Sequence, residues 1–198
     1  YDFYYGDVHF NESGTDFFLK YFGKICQNTV ERNYKTNVLG EHNVLNLVMA
    51  IAVAKQFGME DKIISEAVKN IGLTGMRFQI IEVGNTTYIN DAYNASPMSM
   101  EKSLETFSQI YNEKLKVIVL GDMLELGENE LELHRTLFEV IKNTKFDKLY
   151  LFGKRMESLF EKIKENLGNE NLKNKEFGHF NEKEKIKEKI RQISEDKA

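Results

Sequence analysis

Tyr88-Ile-Asn-Asp-Ala-Tyr-Asn-Ala-Ser-Pro-Met-Ser-Met100 carries an alternating strand into a polar turn and then into a helix. Upstream, Val83-Gly84-Asn85-Thr86 reads as a tight hairpin turn, so Thr87, Ile89 and Asp91 share one face of the returning strand. Asp91 then arrives at the carboxyl end of that strand, the end at which ligands bind in open α/β sheets. Ser96 suits a helix N-cap and Pro97 the first helical position, where a missing N–H would be unpaired anyway. Met100, Leu104, Phe107 and Tyr111 follow at helical spacing and predict a helix that begins within two residues of Pro97. Asp91 and Asn94 equally suit a turn-building role, and the stretch alone leaves both readings open.

Downstream, Leu115-Lys-Val-Ile-Val-Leu-Gly121 is a near-continuous apolar run of the kind buried on both faces of a parallel sheet. A helix is expected from Glu128 to Lys142, a strand at Lys148–Phe152, and a helix carried by Met156, Leu159, Phe160, Ile163 and Leu167. Glu176–Phe180 reads as a further strand, and Ile186, Ile190 and Ile193 mark a last helix. Strands alternating with helices predict an α/β fold with a doubly wound, mostly parallel sheet. The Lys and Glu residues after Glu161 read as solvated helix faces.

Upstream, Asp7–Phe10, Thr15–Phe22 and Cys26–Lys35 predict short strands at the edge of a larger sheet. Gly40-Glu-His-Asn-Val-Leu-Asn46 opens an amphipathic helix with Val44, Leu47, Val48, Ile51, Val53, Ala54 and Phe57 inward, stopped at Gly58. Asn43 and Asn46 share a face near its positive end, where amides can read a base edge or simply cap the helix. A second helix from Glu60 to Asn70 places Ile63, Ile64, Ala67, Val68 and Ile71 inward. Gly72-Leu-Thr-Gly75 reads as a linker, dividing the chain into residues 1–72 and 73–198.

Composition narrows the classes. The 198 residues are 41% hydrophobic and 29% charged, with a formal net charge of −4 and interspersed signs, which gives no broad footprint for nucleic acid or an anionic membrane. The single Cys26 cannot form an internal disulfide and fits a reducing cytoplasm. No apolar run is long enough to be a membrane span. His9 has no partner at metal-ligand spacing, and no metal site is assigned. Oligomeric state is left undetermined.

Taken together, Gly40-Glu-His-Asn-Val-Leu-Asn46, Gly75-Met-Arg77, Asn90-Asp-Ala-Tyr-Asn-Ala-Ser-Pro97 and Leu120-Gly-Asp-Met-Leu-Glu-Leu-Gly127 with His134 resemble the Mur ligase family. That resemblance implies the strand and helix tail of a central ATPase domain, followed by a Rossmann-like C-terminal domain without its last strand. It implies ATP-dependent peptide-bond formation through an acyl phosphate, with UDP-muramyl tripeptide and D-alanyl-D-alanine as the small-molecule substrates. ATP and Mg would be held mainly by a phosphate loop expected upstream of Tyr1, since no Gly-x-x-Gly-Lys-Thr occurs in the chain. Residue by residue, the resemblance casts Asn43, Asn46 and His42 as nucleotide-base contacts and Arg77 as the cation on the phosphates. It casts Asp91 as the acceptor of the ribose hydroxyls, and Asn94 and Ser96 as part of the substrate-facing loop. Ser96 stands where the family commonly has Asn. Asp122 and Glu125 are read as shaping their loop, and His134 as a half-buried, satisfied histidine. A folylpolyglutamate-synthase-like ligase and a non-catalytic nucleotide-binding module are the alternatives.

Overall fold

In the computed structural model, residues 3–11, 13–23, 28–72, 75–168 and 170–195 are described. Cys26 and the Leu73-Thr74 part of the expected linker lie outside them. The chain divides into two compact units, residues 1–78 and 79–198.

In the first unit, β1 (Phe3–Asn11), β2 (Gly14–Gly23) and β3 (Asn28–Thr36) pair with one another as an antiparallel sheet in the order β1-β2-β3. The expected sheet edge is therefore a three-stranded meander in its own right among the described residues. Gly14 makes the first turn possible: its φ is 142°, and a Cβ there would lie 1.9 Å from the Thr36 carbonyl oxygen. Alternation buries Phe17, Leu19 and Tyr21 with Tyr34 in one apolar cluster. Helices α1 (Glu41–Gln56) and α2 (Asp61–Lys69) close that cluster with Val44, Leu47, Val48, Ile51, Ile64 and Val68. Val53 and Phe57, expected inward, are 57% and 84% exposed. They continue the Leu45 and Met49 stripe at four-residue spacing, so α1 is apolar on two sides and periodicity could not choose between them. On α2, Ile63 and Ala67 also point outward. A helix resting on one sheet buries only one stripe, and the pair Ile64 and Val68 supplies it.

Asp61 ties these layers together. Its Oδ1 accepts from Tyr21 Oη at 3.1 Å and from Lys55 Nζ at 2.8 Å, and Arg32 lies 3.5 Å from Oδ2. Partial burial works against its charge, but the Lys55 and Tyr21 hydrogen bonds hold the carboxyl below its ordinary value.

The second unit opens with a hairpin, β4 (Gln79–Val83) and β5 (Thr86–Asn90), joined through Gly84 at φ 57°. Helix α3 (Pro97–Gln109) stops before Tyr111, which adopts φ 50°. Ile110 rather than Tyr111 takes the buried place after the last turn. Strands β6 (Val117–Gly121), β7 (Lys148–Phe152) and β8 (Glu176–Phe180) form a parallel sheet in the order β6-β7-β8. A 3-10 turn at Gly127–Asn129 and α4 (Glu130–Asn143) link the first pair, and α5 (Met156–Glu165) the second. Ile118, Leu120, Leu149 and Leu151 pack with Leu137, Ile141, Leu159 and Ile163 in one core. On the other face, α6 (Lys183–Glu195) packs on β7 and β8, with Lys189 Nζ 5.9 Å from the Tyr150 ring centre. The unit is thus an α/β fold with helices on both faces of a parallel sheet. The strand buried on both faces is β7; β6 lies at the edge and leaves Val119 45% exposed, contrary to expectation. Leu167 falls beyond α5 and is exposed. Among the described residues no helix is long and apolar enough to cross a membrane.

Two stability predictions follow from these cores. The Tyr34 hydroxyl is buried with no hydrogen-bond partner among the described residues, and burial pushes its phenol up to about 12. Removing an unsatisfied hydroxyl while keeping the ring is neutral or stabilising by ~1 kcal/mol, so Tyr34→Phe should melt at or above the parent temperature. A marked drop in that melt would show that the hydroxyl has a stabilising role. In the second unit, the Glu176 carboxylate accepts from Lys148, Lys189 and Tyr150, which hold it down at about 2 against an ordinary value of 4.5. A carboxyl with a lower pKa in the folded state contributes stability that is present above pH 4.5 and lost as pH falls toward 2. Acid melts of Glu176→Gln should be flatter than the parent's across that window; parallel profiles would contradict the assignment.

Candidate functional site

Gly40 enters α1 with φ 100°, and its missing side chain leaves room for His42: a Cβ at Gly40 would lie 2.6 Å from the imidazole Cε1. The Gly-x-His spacing therefore has a steric reason. Asn43 is buried and its Nδ2 donates to the Leu39 carbonyl at 2.6 Å, while Asn46 is exposed. The two amides that share a face by spacing thus divide into one that holds the helix entry and one open to solvent. Arg77 is exposed in the bend preceding β4, not on the strand. It stands between Met76 at φ 62° and the buried Phe78 at φ 47°. Two left-handed non-glycine residues flanking one side chain are the kind of strain that gathers at functional sites.

Asp91 comes one residue after β5 and is half-buried. Its Oδ2 accepts from the Ser103 hydroxyl, which ties the strand end to α3. Nothing in the spacing singled out Ser103, because a serine on a helix face is unremarkable until the strand end is placed beside it. The turn beyond is built by its own side chains: Asn90 Oδ1 accepts from Ala92 N–H at 3.3 Å and Asn94 Oδ1 from Ala95 N–H at 2.9 Å. Ser96 and Ser99 form a reciprocal capping box, with Ser96 Oγ accepting from Ser99 N–H at 3.2 Å and Ser99 Oγ from Ser96 N–H at 2.9 Å. Ser96 is therefore fully employed as a cap.

At the carboxyl end of the parallel sheet, Asp122 Oδ1 accepts from Met156 N–H at 2.9 Å at the start of α5. Arg155 pairs with Asp122 at 3.7 Å and hydrogen-bonds Glu130. Gly153, at φ 113°, lies against the Asp122 carboxylate, where a Cβ would meet it at 2.3 Å. His134 is completely buried rather than half-buried. Its Nε2 accepts from Met123 N–H at 2.9 Å and its Nδ1 donates to the Glu130 carbonyl at 2.6 Å, an assignment that fixes the neutral tautomer. Asp122 and His134 thus order the exit loop of β6. Among the described residues no group of three or more His, Cys, Asp or Glu is arranged to hold a metal ion, so no step is assigned to Mg on this chain.

A parallel sheet entered through a hairpin, with an aspartate and a capped helix at the hairpin's exit, defines the second unit as an α/β domain. The family model described as Mur ligase, glutamate ligase domain matches residues 76–198, and the chain belongs to the Mur ligase family. Among its relatives is the UDP-N-acetylmuramoyl-tripeptide--D-alanyl-D-alanine ligase of Bacillus subtilis (strain 168), 35% identical over 154 residues, or 77% of this chain and 32% of that protein. A crystal structure of MurF from Acinetobacter baumannii superposes with a TM-score of 0.78 at 22% identity, covering 97% of this chain and 39% of that one. The MurF ligase of Thermotoga maritima in complex with ADP gives 0.66 at 22% identity, covering 90% of this chain and 42% of that one. These two structural likenesses speak to the fold. The chain spans about a quarter to a third of the length of the curated relatives it matches.

The Gly40 and His42 packing can be checked directly. Gly40→Ala places a Cβ against the imidazole at an unfavourable positive φ, and should cost about 1–3 kcal/mol and move the His42 ring resonances. An unchanged melt and unchanged His42 resonances would show that the close approach is unimportant.

Proposed function

We propose that this chain is part of an ATP-dependent ligase that joins D-alanyl-D-alanine to UDP-N-acetylmuramoyl tripeptide in the cytoplasm, during synthesis of peptidoglycan precursors. The observation that carries this reading is the 35% identity over 154 residues to a relative of that name. On this proposal residues 1–72 are the end of the ATP-binding domain and residues 73–198 the domain that follows it. ATP, when bound, supplies the phosphoryl group that activates the tripeptide carboxylate for attack by the dipeptide amine.

The chain's own residues then have distinct tasks. Asp91, a half-buried carboxylate directly after β5, is an acceptor of the kind ribose hydroxyls require. Arg77 is exposed, and its planar fork of donors suits phosphate oxygens on which charge accumulates. Asn46, exposed on α1, offers an amide to the base with His42 nearby, while Asn43 keeps the helix entry in place. Asn94 and Ser96 hold the substrate-facing loop in shape through the turn and the capping box.

Steady-state kinetics of the complete ligase polypeptide, with thermal melts alongside, test the assignment. Asp91→Asn should weaken ATP use by about 1–3 kcal/mol, the usual worth of a hydrogen bond to a charged group. Arg77→Ala should lower kcat roughly 100-fold with a smaller change in KM for the tripeptide, and Arg77→Lys should recover only part of it. Ser103→Ala separates the two roles of Asp91. If Asp91 only anchors α3, Ser103→Ala will reproduce the Asp91→Asn defect; if it binds ribose, Ser103→Ala will leave ATP use nearly intact. Near-parent kinetics for Arg77→Ala and Asp91→Asn would return both residues to a structural role.

A further inference from the structure

The amino-terminal end of the parallel sheet holds a feature that the ligase reading does not use. An open pocket of about 510 Å³ lies there, bordered by the approach to β6, the end of α4 with the loop to β7, and the approach to β8. Five lysines line it, Lys114, Lys116, Lys142, Lys145 and Lys175, with one carboxylate, Asp147. This concentration stands out in a chain of net charge −4. Many lysines elsewhere are matched locally, as in Lys102 with Glu105, Lys164 with Glu161 and Lys187 with Glu184. Among the described residues, Lys114, Lys116, Lys145 and Lys175 form no ion pair; of the five, Lys142 alone does, with Glu139.

Two of these ammonium groups are held in place by backbone carbonyls. Lys116 is buried, and its Nζ donates to the Phe107 and Ser108 carbonyls at 2.9 and 3.1 Å, at the end of α3. Lys175 Nζ donates to the Thr144 carbonyl at 3.2 Å, just past α4, and lies 3.8 Å from the Phe146 ring centre. Helix-end carbonyls position a cation without neutralising it, because they carry only partial charge. The exposed Lys145 and Lys114 add two further cations at the rim, the Lys114 ammonium donating to Thr87 Oγ1 at 2.8 Å.

We propose that this pocket binds a small, multiply charged phosphate anion of the polyphosphate type. Several fixed point charges around one space match a ligand that carries several charges close together. No arginine lines the pocket, so its cations are ammonium point charges, a form in which lysine binds phosphate oxygens. The volume falls in the range of small-molecule sites. Its concave, local form distinguishes it from the extended basic stripe that a nucleic acid requires. The Lys116 ammonium is disfavoured first by burial and then by the nearby Lys145, with Asp147 only partly offsetting them, and Lys175 is likewise held below its usual range by burial. A polyanion in the pocket relieves this crowding of like charge.

Calorimetric titration of the 198-residue chain with sodium tripolyphosphate at low and at physiological salt tests the proposal, with melts of each variant to verify folding. The expected result is binding that weakens as salt rises, and that Lys145→Glu and Lys114→Glu, both at exposed positions, each weaken about tenfold or more. Lys187→Glu, on α6 and away from the lining, makes the same charge change and should bind like the parent. ATP is titrated separately. Lys145-dependent binding equal to that of tripolyphosphate assigns the free phosphate chain as the ligand; tighter Lys145-dependent binding assigns the phosphate chain of a nucleotide. No binding by the parent at low salt would overturn the proposal, as would equal losses in Lys187→Glu and Lys145→Glu, or tighter binding of polyglutamate than of tripolyphosphate.

Discussion

Asp122 joins the exit of β6 to the start of α5 in the second unit. Its carboxylate leaves the end of β6, accepts the first backbone N–H of α5 at 2.9 Å and fits against Gly153, whose lack of a Cβ makes the approach possible. Two exit loops are thereby locked to one helix start. Arg155 extends the tie to Glu130, and His134 returns from α4 to hold Met123 N–H. The physical logic is that of the helix dipole. Helix α5 starts at the carboxyl end of the sheet and takes a carboxylate. Helices α3 and α4 finish at the amino end, where Lys116 and Lys175 meet the last carbonyls. The same rule, applied at opposite ends, produces an acidic, ordered loop cluster on one side and a lysine-lined pocket on the other.

The alternation of strand and helix was legible because β7 and β8 carry clear boundaries: Lys148–Phe152 and Glu176–Phe180 stand where the pattern placed them. Patterns failed where more than one apolar face was available. Helix α1 is apolar on two sides, so Val53 and Phe57 could not be assigned inward or outward from spacing. Val119 and Leu120 look alike in sequence, yet β6 is an edge strand and exposes the first while burying the second. Tyr111 continues the helical spacing, but the chain turns left-handed there and Ile110 is buried instead.

The site shows the same division. Gly40, His42, Arg77, Asp91 and the Ser96-Pro97 helix start were recognisable as motif positions. Their immediate partners were not, because Ser103 reaches Asp91 across a turn and Leu39 occupies the Asn43 amide. The lysine pocket was invisible for a related reason. Lys114, Lys116, Lys142, Lys145 and Lys175 are scattered among carboxylates along the chain, and only the fold gathers them.

The central proposal is that the hairpin exit is a nucleotide-facing element of a ligase, with the Asp91 carboxylate as the acceptor of ribose hydroxyls. A crystal structure of the complete polypeptide with ADP and the tripeptide substrate addresses it most directly. The account predicts ribose hydroxyls hydrogen-bonded to the Asp91 carboxylate while the Ser103 bond persists, and the Arg77 guanidinium directed at phosphate oxygens. Nucleotide bound with Asp91 contacting Ser103 alone, and with Arg77 turned into solvent, would contradict it.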